Sequence, residues 1–139
     1  MQENEFVKAR LNIHYTHNHL KQHLEKELKP LDLPLNQYSV LNILKEAYPN
    51  CTSVNCIKEK MIDKNSDVSR LVDRLLNKKL VLRKECKTDR RQKEIQISPL
   101  GLELIEKIGC QEKLLSTKIN HLSLEEVTQL NQLLEKLQE

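Results

Sequence analysis

Apolar residues recur along this chain at two spacings. From residue 5 to 29, Phe6, Ala9, Ile13, Leu20, Leu24 and Leu28 follow one another at intervals of three, four and seven, which puts them on one stripe of a long helix. Lys29-Pro30 is expected to end it, because the residue before a proline resists helical backbone. Tyr38, Leu41, Leu44 and Ala47 or Tyr48 give residues 35–48 a second inward face. Asp32 or Asn36 is its expected cap, Pro34 fits near its start, and Pro49-Asn50 breaks it. Ser53 is expected to cap a short third helix over 54–62, where Ile57 and Met61 lie four apart. Asn65-Ser66 is the next cap signal. After it, Val68, Leu71, Val72, Leu75 and Leu76 repeat at i, i+3, i+4, i+7 and i+8, a strong amphipathic helix.

The spacing then changes from helix to strand. Leu80 and Leu82 on one side, and Ile95 and Ile97 separated by Gln96 on the other, predict two short strands with one wet face each. The seven residues 87–93 between them hold four bases, Lys87, Arg90, Arg91 and Lys93, and one acid, Asp89. A hairpin with such a tip projects into water or onto a polyanion. Ser98-Pro99 is expected to open a fifth helix, with Ser98 as N-cap and Pro99 at the first helical position. That helix carries Leu104, Ile105, Ile108, Leu115 and Ile119. Ser123-Leu124-Glu125-Glu126 is a capping box for a sixth, with Leu122 and Val127 as its hydrophobic staple and Val127, Leu130, Leu133, Leu134 and Leu137 as its apolar face.

Three short helices followed by a hairpin with a basic tip make a winged helix-turn-helix order. In that arrangement the last of the three helices lies in the major groove and its first turns meet base edges. Ser69 and Arg70 sit in those turns and are the base-reading candidates, with Asn65, Ser66 and Arg74 nearby for bases or phosphates. Arg can pair bidentately with guanine, and Ser can meet a base or a phosphate. The first helix is too long for one small core to cover, and its stripe predicts packing on a second chain.

Composition narrows the classes. The 139 residues suffice for one domain with a real core, and at 3% aromatic with no Trp that core must be aliphatic. Residues 1–8 hold no apolar export segment, and no apolar run approaches the roughly 20 residues of a membrane span. Cys51, Cys56, Cys86 and Cys110 lack metal-type pairing and read as reduced thiols of a cytoplasmic protein. Net charge is only +3, but residues 53–98 hold thirteen Lys/Arg against seven Asp/Glu, whereas the remainder is net acidic. A basic middle between acidic ends points to a polyanion-facing centre.

At this point the chain resembles the MarR family of bacterial transcriptional regulators. Asp89, Arg91, Ile95, Ile97, Ser98 and Gly101 match the family's wing pattern in identity and spacing. Residues 68–75 look like its recognition helix, and residues 33–41 like its second-helix signature. The resemblance implies a mainly α fold with a small β-hairpin wing (α+β) and long N- and C-terminal dimerisation helices. It divides the chain into a dimerisation helix over 1–32, a DNA-binding lobe over 33–98 and C-terminal dimerisation helices over 99–139. It implies a homodimer held by the first, fifth and sixth helices. It implies Arg91 reaching from the wing tip into the minor groove, oriented by Asp89, with Arg90 and Lys93 on phosphate. A narrow minor groove concentrates negative potential and attracts Arg. The implied function is sequence-specific binding of double-stranded DNA at a roughly palindromic operator, as a repressor, relieved by a small aromatic or anionic ligand. His14 and Tyr15 are the candidate polar handles for that ligand.

Three positions depart from the family pattern. Lys79 stands where a Gly usually follows the recognition helix, Pro34 where a capping Thr is frequent, and Lys58 where a small Ala is common. A non-Gly residue in the left-handed conformation costs roughly 1–2 kcal/mol. The stem of Lys58 can lie along the surface with its amine on a phosphate.

Other chemistries carry less. His14, His17, His19 and His23 crowd the first helix, yet a closed metal site needs more ligands than two at i, i+4, so a hydrated or dimer-packed helix face is the stronger reading and no metal or other cofactor is expected. Cys86 lies beside Lys87, and cations favour thiolate, so it is the redox candidate against the stronger reading of an inert small residue. No phosphate-binding Gly loop, Ser-His-Asp grouping or carboxylate pair suggests an enzyme. The alternative function is a helical dimer that acts as a protein-interaction module or antirepressor without specific DNA binding. The cationic hairpin tip argues against it.

Overall fold

In the computed structural model, residues 4–85, 93–115 and 119–139 are described. Six helices and one hairpin follow in order: α1 Glu5–Leu28, α2 Leu35–Ala47, α3 Val54–Lys60, α4 Val68–Asn77, β1 Val81–Glu85, β2 Lys93–Ile97, α5 Pro99–Leu115 and α6 Leu124–Lys136. No helix among these residues is long and apolar enough to cross a membrane. The chain divides into two compact units, Met1–Ile108 and Gly109–Glu139.

The core of the first unit is aliphatic, as the composition requires. Leu28 from α1, Val40, Leu41 and Leu44 from α2, Ile57 from α3 and Val68, Leu71, Val72 and Leu75 from α4 are buried together with Ile95, Ile97, Ile105 and Ile108. Burial of α4 on one side leaves Ser69, Arg70, Asp73 and Arg74 exposed on the other. The expected stripe of α1 is split: Leu28 is buried and Leu24 packs against the core, whereas Phe6, Ile13 and Leu20 are exposed.

Helix starts follow the caps with two corrections. Ser53 Oγ accepts from Cys56 N at 3.1 Å, as expected, and Asn4 Oδ1 caps α1 through Phe6 N. The cap of α4 is Asp67, whose Oδ1 accepts from Arg70 N at 3.2 Å, and not Asn65-Ser66. Those two residues lie in the preceding turn, where Asp63 Oδ1 accepts from Asn65 N. The correction is physical: an N-cap oxygen must meet the amide two or three residues on, and Asp67 stands at that offset from Arg70. Neither Asp32 nor Asn36 caps α2; Pro34 occupies the N-cap position with no side-chain bond. Proline offers no acceptor there, and Ser39 Oγ instead donates back to the Leu35 carbonyl.

Two helix ends turn through left-handed residues. At α4, Lys79 has φ 61°, Lys79 N donates to Leu76 O, and Leu80 N donates to Leu75 O at 3.0 Å. This is the paired-bond C-cap normally closed by Gly, completed by contact between apolar residues at its two ends. Leu75 and Leu80 are both buried. The departure at Lys79 therefore leaves the turn intact at the cost of left-handed strain. At the end of α1, Asp32 (φ 51°) closes a short 3-10 turn over 29–31 in the same way, with Leu33 N donating to Leu28 O. Lys29-Pro30 thus tightens the helix before ending it.

The hairpin is antiparallel, with Val81 opposite Ile97 and Arg83 opposite Ile95. Its inward position is Val81, and Leu82 is exposed, one residue out of step with the expected frame. Leu80 is buried because it belongs to the α4 cap, so its apolar character had a different cause from that of a strand face. A third short element escaped the sequence pattern. Thr52 pairs with Ile95 on the other edge of β2, through bonds of 2.9 and 2.7 Å. A single bridge has no periodicity to read.

Ser98 Oγ accepts from Gly101 N at 3.0 Å and donates to Lys79 O at 2.7 Å, so the α5 cap also ties down the end of α4. Gly101 is required by close approach. A Cβ there would lie 2.3 Å from Leu80 O and 2.7 Å from Ile97 Cγ1. In the second unit, α6 begins at the expected capping box: Ser123 Oγ accepts from Glu126 N at 3.2 Å and Ser123 N donates to Glu126 Oε2 at 2.7 Å. Ile119 lies in the turn before α6 and not in α5. Leu130, Leu133 and Leu137 on α6 are exposed.

Gly101→Ala is expected to lower unfolding free energy by about 1–3 kcal/mol, the usual range for overpacking, because a backbone carbonyl blocks the new methyl. Denaturant titration of the variant beside the parent measures it.

Candidate nucleic-acid interface

The exposed face of α4 is a consequence of its buried one. With about 100° between successive residues, Val68, Leu71, Val72 and Leu75 share one side, and Ser69, Arg70, Asp73, Arg74 and Asn77 fall opposite. The structure brings Ser69, Arg70 and Arg74 onto this face, and places Asn65 and Ser66 in the turn that leads to it. Asn65 is exposed and Ser66 half-buried. The N-terminal end of a helix also carries partial positive charge from its unpaired amides, which adds to the attraction for anions.

Asp67 does two things here. It caps α4, and its Oδ2 lies 3.9 Å from Arg70 Nε, which biases the guanidinium toward the helix N-terminus. Both groups are well exposed, so this pair adds little to stability. It leaves other guanidinium donors free for a ligand.

Asp73 sits in the middle of the exposed face and would oppose an approaching anion. It is answered by Arg83, whose Nη2 donates to Asp73 Oδ1 at 3.1 Å. Arg83 stands two residues after Val81 on β1, opposite Ile95, and its exposed side chain reaches Asp73 on α4. The pair neutralises Asp73 and joins the hairpin to the helix. Sequence reasoning found neither Asp67 as cap nor the Asp73–Arg83 pair. An acid at the first position before an apolar run was the available signal for Asp67; nothing local signals a pair ten residues apart across a turn.

Cys86, Asp89, Arg90 and Arg91 lie outside the described residues, as does the side chain of Lys93. The hairpin is described up to Glu85 and from Lys93, which stand opposite each other in register. Lys84 and Glu85 on β1 are exposed, as is Lys58 on α3.

His14, Tyr15, His17 and His19 are exposed on α1, and His23 is half-buried. Among the described residues no three His, Cys, Asp or Glu side chains stand together as a metal site. Cys51 and Cys56 are free thiols.

Helices α2 to α4 followed by a two-stranded hairpin make this a winged helix-turn-helix protein. Within that class its fold is similar to that of solved MarR-family transcriptional regulators. Its fold is similar to that of a Cys-to-Ser mutant of Escherichia coli MarR complexed with operator DNA, with a TM-score of 0.82, 25% identity and coverage of 99% of this chain and 98% of that one. It is similar to the Staphylococcus aureus MepR–DNA complex at a TM-score of 0.79 and 26% identity, covering 97% of this chain and 96% of that one. AbsC, a MarR family transcriptional regulator from Streptomyces coelicolor, matches at 0.81 and 26%, over 99% of this chain and 95% of that one. No family model matches the sequence.

Asp73→Asn removes a half-exposed ion pair and is expected to change unfolding free energy by less than about 1 kcal/mol. Thermal melts of Asp73→Asn and Arg83→Ala check this, and a larger loss would show the pair to be structural.

Proposed function

We propose that this protein is a double-stranded DNA-binding transcriptional regulator that acts as a homodimer. The observation that carries the reading is the α4 face: Ser69, Arg70 and Arg74 are held outward by a buried aliphatic face, in a fold shared with proteins solved on DNA. In this reading α4 enters the major groove with Ser69 and Arg70 on base edges, and Asn65, Ser66 and Arg74 on bases or phosphates. The wing follows the backbone. Arg91 enters the minor groove, Asp89 orients it, and Arg90 and Lys93 contact phosphate.

The apolar residues of α1 and of α6 support the dimer, since Phe6, Leu11, Ile13, Leu130 and Leu133 are each exposed among the described residues. Residues 1–32 and 99–139 then serve dimerisation and 33–98 DNA binding. Two copies read the halves of a roughly palindromic operator, and occupancy of that operator represses transcription in the bacterial cytoplasm. His14 and Tyr15 are the proposed handles for a small aromatic or anionic effector. Such a ligand relieves repression only by favouring one spacing of the two α4 helices over another. Cys86 beside Lys87 is the thiol through which an oxidant would act, and an inert side chain is the simpler reading.

Binding to the DNA upstream of its own gene, followed by fluorescence anisotropy at several salt concentrations, tests the proposal. Arg91→Ala is expected to weaken binding to all sequences and to reduce the salt slope by about 0.9 per wing, one phosphate-equivalent charge each. Arg70→Ala is expected to lose about 1–3 kcal/mol of preference for the upstream fragment over scrambled DNA, the value of one bidentate base contact. Absence of binding by the parent protein at low salt would overturn the proposal in favour of an interaction module.

A further inference from the structure

The two left-handed turns described above, at Asp32 and at Lys79, lie far apart in sequence, yet one side chain joins them. Lys78, the C-cap residue of α4, sends its ammonium to the turn between α1 and α2. Its Nζ donates to Gln37 Oε1 at 2.8 Å and to the carbonyl of Asp32, and the Asp32 carboxylate oxygen Oδ2 lies 3.9 Å away. Gln37 is the third residue of α2 and is 3% exposed, a buried polar group like Ser98 in a mainly apolar core. The Lys78 side chain is itself mostly covered, at 28% exposed.

These contacts are unlike those of a surface lysine. A free lysine keeps its rotamer freedom and its hydration, and gives both up only for strong partners. Here the partners are an amide oxygen and a backbone carbonyl, each improved as an acceptor by the charge on the donor. Both turns around the lysine are anchored by buried apolar residues. Leu28 and Leu33 are buried on either side of Asp32, as Leu75 and Leu80 are beside Lys79. An apolar anchor on each side and one charged link between them join the two turns.

We propose that Lys78 is a positioning residue that latches the end of α4 to the α1–α2 elbow, so that the direction of α1 and the placement of the exposed α4 face are set together. The role rests on the reading of α4 as the DNA-contacting helix and of α1 as a dimer helix. Two such faces in a dimer must meet half-sites about one helical turn apart, roughly 34 Å. A loose joint between the dimer helix and the reading helix would broaden the spacing that a dimer accepts. With the latch closed, one spacing is favoured. An effector that reorients α1 would act on α4 through the same link.

The test uses the full chain, Lys78→Met and Lys78→Arg. Met keeps the apolar stem and removes the donors, while Arg restores them. The first readout needs no DNA: amide hydrogen exchange at residues 32–37 and 77–80. Lys78→Met is expected to speed exchange at both turns together, and Lys78→Arg to bring it back. The second readout is affinity for the upstream duplex that the parent protects from nuclease, compared with the same duplex carrying one or two inserted base pairs at its centre. The parent is expected to discriminate between them, and Lys78→Met to lose about fivefold or more of that discrimination, the lower range of coupling between sites. Unchanged exchange in Lys78→Met overturns the latch. Faster exchange with an unchanged spacing preference overturns the positioning role and leaves a structural tie. Faster exchange in a protein whose parent form protects no DNA supports the tie and overturns the DNA reading instead. Should Lys78→Met not fold, Gln37→Met, which removes the acceptor from the other side of the link, takes its place in both readouts.

Discussion

The commitment of one face of α4 to the core decides most of what this chain can do. Val68, Leu71, Val72 and Leu75 are almost fully buried, and a helix so held cannot rotate about its axis. A rotation by one residue would bring Arg70 or Asp73 toward the aliphatic interior, where an unpaired charge is very costly. The polar face is therefore fixed in direction before any ligand arrives. Its neighbours defend that direction. Asp67 caps the start, Ser98 holds the carbonyl of Lys79 beyond the end, and Arg83 grips the middle from the hairpin.

The same economy explains the left-handed turns. A helix that must stop and reverse within three residues needs a residue at positive φ, and Gly is the usual choice. This chain uses Asp32 and Lys79 instead, and has only two glycines in all. The strain is met by the apolar pairs Leu28–Leu33 and Leu75–Leu80 that flank the turns. Gly101 is kept for a different reason, the carbonyl of Leu80 lying where a Cβ would stand. Gly101 thus serves close approach between β2, α5 and the α4 cap, and side-chain burial carries the turns.

Helix number and order were legible in the sequence because the longer helices repeat their apolar residues over several turns and the short α3 is marked by its Ser53 cap. The capping box at Ser123 and the Ser98-Pro99 start were legible because they are local, within three residues of what they cap. Legibility failed where the cause was distant or single. Leu80 looked like a strand residue because its burial comes from the helix cap. The cap of α4 was misplaced because Asn65, Ser66 and Asp67 are all good cap residues, and only the position of the first helical amide separates them. Thr52, Gln37 with Lys78, and Asp73 with Arg83 depend on contacts that no local pattern announces. Of the candidate site, the face of α4 was legible from periodicity, whereas the roles of Asp89, Arg90 and Arg91 came from a motif, and those residues lie outside the described ones.

The central claim is that the outward face of α4 meets DNA. Amide hydrogen exchange of the full chain, with and without the upstream duplex, tests it most directly. The account predicts slowed exchange confined to the turn before α4, the first turns of α4 and the hairpin tip, with α6 unchanged. Slowed exchange on α1 or α6 alone, with α4 unaffected, would contradict it.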